Sequence, residues 1–338
     1  MIYGANGYTG ELIAELARSR GHSPILAGRS ENKVRPVAER LGLPWRAFDL
    51  AKPDLAGVDL VLHCAGPFSH TSRQMVDACL AARAHYLDVT GEVAVFEAVL
   101  ARDKEAKERG IVLLPGTGFD VVPSDCLAAL LKAKLPGATS LELAFATRGR
   151  SSPGTLKSSI EGIAAGGLVR RGGKLVKVPP AFLVREIPFA DKPRTAMSIP
   201  WGDVSTAFWS TGIPDITVYM AAHPNAIRAA RLTRYTAPLL ALAPVQRFLK
   251  ARIEKNVKGP GAEERARGSA QFWGRVTDGE RSVEMTMQIP EGYTLTAEAA
   301  LTCALRVRAG AVPPGAHTPS LAFGADFAGT LPGVRIGG

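Results

Sequence analysis

The chain has 338 residues, 46% hydrophobic and 21% charged, which is the composition of a globular protein with material for two domains and excludes disordered, collagen-like and repeat classes. A net charge of +10 favours anionic partners (phosphate-bearing cofactors, acidic proteins, anionic membranes), while the lack of any RNP, zinc-finger or basic-zipper pattern argues against nucleic acid. No apolar run reaches the ~20 residues of a membrane span, no basic segment precedes an apolar one near the start, the four cysteines lack C-x-x-C spacing, and the six histidines form no ligand pattern, so a cytoplasmic protein with reduced thiols and no metal is expected.

Met1–Tyr3 reads as the end of a first strand, and Thr9–Ser19 as a helix with Leu12, Ile13, Leu16 and Ala17 at helical spacing. Strands follow at "SPILAGR", "PWRAFDL", "VDLVLHCAGP", "HYLDVTGE" and "IVLLPGTG". Between them lie helices at "SENKVRPVAERLG", "SHTSRQMVDACLAARA" and "VAVFEAVLARDKEAKERG". Alternation at this spacing predicts an α/β doubly wound parallel sheet.

Within that frame the loop Gly4, Ala5, Asn6, Gly7, Tyr8, Thr9, Gly10 carries a G-x-x-G-x-x-G spacing at the first strand–helix turn. There one glycine makes the turn, one lets backbone meet a dinucleotide pyrophosphate, and one lets helix pack on strand. At the tip of the second strand an acid would bind the ribose of NAD, but Arg29 and Ser30 stand there instead. A guanidinium and a hydroxyl suit the 2′-phosphate of NADP(H). Cys64, Ala65, Gly66 and Pro67 end the fourth strand, and Thr90 and Gly91 follow the fifth. All six sit at carboxyl ends of parallel strands, where ligands bind; plain turn chemistry is the alternative for Pro67 and Gly91. Asp120, Glu92 and Tyr86 are candidate proton-handling residues. Each has a structural alternative: Asp120 and Glu92 as caps of the helices that follow them, and Tyr86 as core.

Beyond Asp120 the alternation breaks. "SLELAFATRG" is a strand, "SSPGTLKSSIEGIAAGG" a capped helix start, and glycine- and proline-punctuated strands run to about Ala222. Arg228–Lys255 reads as a basic helical stretch broken near Pro238 and Pro244. It is either a surface for lipid or an acidic protein, or a solvated helix. "GRVTDGERSVEMTMQI" forms a hairpin around Thr-Asp-Gly-Glu, and "TLTAEAALTCALRVRAG" a helix. No tyrosine has a lysine four residues on, which removes the short-chain dehydrogenase arrangement.

"GANGYTGELIA", "LAGRS", "CAGPFSHTSRQMVDACLAARAHYLDVTGE" and "PGTGFDVVPSD" together resemble the saccharopine dehydrogenase-like oxidoreductases, most closely their trans-acting enoyl reductase branch. "PWGDVSTAFWSTGIPDI", "GYTLTAEAALTCALRV" and "TPSLAFGADF" are similar to later blocks of that branch. The resemblance implies NADP dependence and a Rossmann domain over 1–121. It further implies a mixed α/β substrate domain over 122–292, and a helix and tail over 293–338 returning to the first domain. It also implies hydride transfer from NADPH to an enoyl thioester or related acyl substrate, small or carrier-bound. Reduction of an imine, and a non-catalytic NADP-binding scaffold associated with lipid, are the alternatives. On the charge argument, Arg247, Lys250 and Arg252 would steer an acidic carrier protein or a membrane surface, and an oligomer is compatible with all of these.

Overall fold

The computed structural model describes residues 1–157, 166–240 and 242–337, with side chains of 237–240 outside the description. Contacts divide the chain into two units, one of Met1–Val122 with Tyr293–Phe327, the other of Pro123–Gly292 with Ala328–Gly338.

The first unit is built on a parallel sheet. Its strands are β1 (Ile2–Tyr3), β2 (Leu26–Gly28), β3 (Trp45–Ala47), β4 (Leu60–His63), β5 (His85–Asp88) and β6 (Val112–Leu114), with a seventh at Gly315–Ala316. In space the order is β3-β2-β1-β4-β5-β6 and then the seventh strand, every pairing parallel. This is the doubly wound Rossmann order, with the reversal between β1 and β4. β4 and β6 are buried along their whole length, as an apolar run covered on both faces must be.

Helices α1 (Tyr8–Ser19), α2 (Glu31–Leu41) and α3 (Phe68–Ala82) connect the strands. α1 buries Ile13, Ala14 and Ala17, and α3 buries Met75, Val76, Cys79 and Leu80. α2 stops where Gly42 takes φ +63, a left-handed cap that lets Leu43 N–H reach the Ala38 carbonyl at 3.0 Å.

The single helix expected after β5 is two, α4 (Val93–Leu100) and α5 (Asp103–Arg109). Side-chain chemistry at the junction accounts for the break. Arg102 turns aside to pair with Asp77 and, in fork fashion, with Glu105 (2.9 and 2.7 Å). Asp103 accepts Ala316 N–H at 3.0 Å, which ties the start of α5 to the edge strand. The four cysteines are free thiols; Cys79, Cys126 and Cys303 are buried, whereas Cys64 is only partly so because it stands at the open end of β4.

The second unit carries a mixed sheet. Its central strand Ser140–Arg148 pairs parallel with Asp215–Ala221 and antiparallel with Ser269–Thr277. Ser269–Thr277 and Ser282–Pro290 form the expected hairpin, its loop one residue later than anticipated, because Asp278 Oδ1 accepts the N–H groups of Glu280 and Arg281 (3.1 and 2.7 Å). The basic stretch forms helices Pro224–Leu240 and Ala243–Asn256. Most of the helix anticipated after Ser152 falls on 158–165, outside the described residues. Tyr293–Phe327 goes with the first unit, but Ala328–Gly338 does not: Arg335–Gly337 adds an antiparallel strand to Ser282–Pro290 in the second. Among the described residues no helix is long and apolar enough to cross a membrane.

Candidate functional site: a dinucleotide cradle and a neutral carboxyl

The turn from β1 to α1 is shaped by two glycines and kept open by a third. Gly4 takes φ +87, and a Cβ there would stand 2.7 Å from Ala65 N and 2.8 Å from the Cys64 carbonyl carbon at the end of β4. A Cβ on Gly10 would lie 2.4 Å from the Gly4 oxygen, so this glycine lets the helix close on its own loop. Gly7 precedes α1 in extended conformation, and its Cβ would meet only the Gly4 oxygen, at 3.2 Å. A side chain at Gly7 would therefore point into the space in front of the helix N-terminus, where N–H donors and the dipole favour a pyrophosphate. Ala5 is buried, Asn6 is exposed, and Tyr8 and Thr9 are half-buried at the helix start. Tyr8 meets Tyr293 edge-on, ring centroids 4.9 Å apart. Tyr293, from the helix Gly292–Arg308, was not anticipated at this site; no spacing links residues so distant in the chain.

At the tip of β2, Gly28 is held close to the loop, since a Cβ on it would stand 2.8 Å from Asn6 Oδ1. Arg29 is exposed, and its guanidinium forms no hydrogen bond or ion pair among the described residues. Ser30 heads α2, but only its carbonyl serves the helix, accepting Lys33 and Val34 N–H at 3.1 Å; its hydroxyl makes no capping bond. Guanidinium and hydroxyl are thus both uncommitted at the position where a 2′-phosphate would lie. The residues present fit NADP: a cradle that side chains would fill, and a cation without a partner.

The end of β4 is pinned by Thr71, whose hydroxyl donates to the Ala65 carbonyl at 2.8 Å and sits 3.2 Å from that of Pro67. His63 Nε2 lies 3.0 Å from the same hydroxyl, and burial pushes its pKa down to about 3, so it stays neutral. Cys64 and Ala65 are half-buried and Gly66 is exposed, leaving small backbone at the strand's open edge.

The three proton-handling candidates separate at the end of β5. Tyr86 is fully buried and donates to Asp88 Oδ2 at 2.7 Å, and burial raises its pKa well above the ordinary value. Glu92 is spoken for: its two carboxylate oxygens accept Phe68 and Ser69 N–H, both at 2.8 Å. Its carboxylate therefore caps α3 across the sheet edge, while Glu92 is also the N-cap of the helix that follows it, where its carbonyl accepts Val95 and Phe96 N–H at 2.9 and 3.1 Å. The polar atoms of both side chains are thus engaged within the protein. Asp88, also fully buried, ties the region together by accepting Thr90 N–H (3.0 Å) and Gly116 N–H (2.8 Å) besides the Tyr86 hydroxyl. Burial raises its pKa to about 6 against the pull of those donors. The buried Thr90 accepts Glu92 N–H at 3.1 Å.

Asp120 differs from all of these. Its Oδ1 is out of solvent with no hydrogen-bond partner, and it is not the helix cap its position suggested. The residue as a whole is half-buried, and desolvation of its carboxyl raises its pKa to about 8, which favours the protonated form near neutral pH. A Cβ on Gly91 would lie 2.5 Å from Asp120 Oδ2. Gly91 is thus glycine because the Asp120 carboxyl occupies the space its side chain would need. Phe119 N–H donates to Thr296 Oγ1 at 2.9 Å, anchoring the Asp120 turn to the C-terminal helix.

Residues 1–114 match the family model described as the saccharopine dehydrogenase NADP binding domain. A Mycobacterium tuberculosis protein provisionally named a trans-acting enoyl reductase is 33% identical over 180 residues, 48% of this chain and 43% of that one. The Homo sapiens saccharopine dehydrogenase-like oxidoreductase is 26% identical over 218 residues, 54% of this chain and 50% of that one. The chain thus matches about half the length of these relatives. Apo saccharopine dehydrogenase (L-Glu forming) from Saccharomyces cerevisiae has the same fold, with TM-score 0.67 at 10% identity, covering 100% of this chain and 99% of that chain. The chain is similar to the saccharopine dehydrogenase-like oxidoreductases, and its first 114 residues match their NADP-binding domain.

Proposed function

We propose that this chain is an NADPH-dependent reductase acting on the carbon–carbon double bond of an enoyl thioester. The observation that carries the reading is the Asp120 carboxyl, seated against Gly91 beyond the carboxyl end of β5 with its Oδ1 out of solvent and without a hydrogen-bond partner. The Gly4–Gly10 turn lies beyond the carboxyl end of β1 in the same parallel sheet, so both open on the same sheet edge. The named relative in the enoyl reductase branch supports the choice of substrate class.

When bound, the nicotinamide supplies the hydride, and the protein supplies position and a proton. Gly7 and the first turn of α1 would hold the pyrophosphate on the turn that Gly4 and Gly10 shape, while Arg29 and Ser30 would hold the 2′-phosphate. Cys64, Ala65 and Gly66 offer a smooth backbone floor at the end of β4. Asp120 gives its proton to the α-carbon, or first to the thioester oxygen, as the β-carbon is reduced. It regains one from water in the next cycle.

The test is NADPH consumption by the full chain across 2-enoyl thioesters, cyclic imines and quinones, beside a binding titration. Turnover on enoyl thioesters, depressed but still measurable at neutral pH in Asp120→Asn, is expected. Turnover confined to imines would replace the substrate class. Tight NADPH binding without turnover on any class would leave a scaffold.

A further inference from the structure

The helices Pro224–Leu240 and Ala243–Asn256 present a surface that core packing does not explain. The first is held by Ile227, which is buried in the cluster with Ala181 and Met197. The second buries no residue. Residues 224–258 nevertheless hold eight Lys and Arg against one acid, Glu254, a net +7 out of the chain's +10. That acid is itself paired with Lys157 at 2.9 Å. Among these cations stand large apolar side chains in water: Leu232 is 62% exposed, Tyr235 67%, Leu242 51% and Phe248 64%.

The spacing mixes the two chemistries on single stripes. Arg228, Leu232 and Tyr235 fall at i, i+4 and i+7 of the first helix, and Phe248, Arg252 and Lys255 at the same interval on the second. A solvated face would carry charge without aromatics, and an acidic protein would be met by the cations alone. Cations interleaved with a tyrosine, a phenylalanine and leucines match the boundary of an anionic bilayer. There phosphates take the charges, and the acyl region takes the apolar side chains.

We propose that this helix pair docks the protein on an anionic phospholipid surface, lying in the interface rather than crossing it. Its cations contact headgroup phosphates, while Leu232, Tyr235, Leu242 and Phe248 enter the acyl boundary. The proposal is independent of the reductase reading, since it concerns exposed residues and no atom of the candidate site.

Flotation of the full chain with vesicles of phosphatidylcholine mixed with phosphatidylglycerol, against pure phosphatidylcholine, tests it. Binding to the anionic vesicles alone is expected, weakening as salt rises. Arg247→Glu/Arg252→Glu/Lys255→Glu should lower partitioning by on the order of a hundredfold. Tyr235→Ser/Phe248→Ser keeps every cation and should lower it by about tenfold or more. Because these side chains are exposed, both variants should keep the parent circular dichroism and NADPH affinity. Absence of binding to anionic vesicles would overturn the proposal. So would binding unchanged by Tyr235→Ser/Phe248→Ser, or capture of a soluble acidic protein that depends on the charges while vesicles are ignored.

Discussion

Arg29 is the residue on which the proposed choice of cofactor turns, because its guanidinium makes no hydrogen bond or ion pair among the described residues and stands where an acid would repel phosphate. Arg29→Asp should weaken NADPH by about 10–100-fold, the worth of a charge-assisted contact, and leave NADH similar or tighter. Calorimetric titration of both cofactors checks this, and equal affinities in the parent protein would refute the assignment. The glycines divide differently. Gly7→Val should leave the apo Tm nearly unchanged, since little lies near its Cβ, yet cut NADPH affinity by about tenfold or more. Gly10→Ala should instead lower the apo Tm, because the methyl meets the Gly4 oxygen at 2.4 Å, an overpacking cost of roughly 1–3 kcal/mol. Asp120 has a pH signature of its own. Its folded pKa, raised by burial from 3.8 to about 8, means the folded chain keeps a proton that the unfolded chain releases above about pH 4. Its presence therefore costs stability progressively between pH 4 and 8, and by a constant amount above. Asp120→Asn should raise Tm by about 2–4 °C or more at pH 8 and hardly move it below pH 4. In the parent, kcat/KM should fall as pH rises through about 8, and the variant should lose that limb.

At the scale of elements, the carboxyl edge of the sheet is organised by side chains that brace loops against each other. Glu92 closes the start of α3 with two N–H acceptances at 2.8 Å, although the chain leaves β4 and returns through β5 before reaching it. Glu92→Gln should cost about 1–2 kcal/mol in denaturant unfolding while leaving kcat per folded molecule near the parent value. A large loss of kcat with stability intact would return Glu92 to the chemistry. The elements legible in the sequence were those marked by local signals. Gly42 announced the end of α2, the alternating apolar runs announced β4 to β6, and Thr-Asp-Gly-Glu announced the hairpin. What stayed hidden depends on partners distant in the chain. The break at Arg102 is set by Asp77 and by an edge strand near Ala316; the task of Glu92 is set by a helix that precedes it. The close approach of the Asp120 carboxyl to Gly91, a candidate by its place at a strand end, is likewise a contact no spacing discloses.

Across the whole molecule, the residues behind the two proposals fall in different units. The first unit carries the glycine turn, the uncommitted Arg29 and the neutral Asp120; the second carries the basic helices. The doubly wound parallel character of the first sheet was legible in the strand–helix alternation, whereas its strand order is given by the structure. The division of the C-terminal segment did not follow, since Arg335–Gly337 finds its partner through backbone pairing, which a short polar stretch does not advertise. The central claim is that the Rossmann unit and Asp120 together reduce an acyl substrate with NADPH. Its most direct measurement is single-turnover transfer of deuterium from 4,4-dideuterated NADPH to a 2-enoyl thioester, followed by mass spectrometry of the product in ordinary water. The account predicts one deuterium at the β-carbon and a solvent hydrogen at the α-carbon, with the rate depressed in Asp120→Asn. Unlabelled product, or no product while NADPH remains tightly bound, would contradict it.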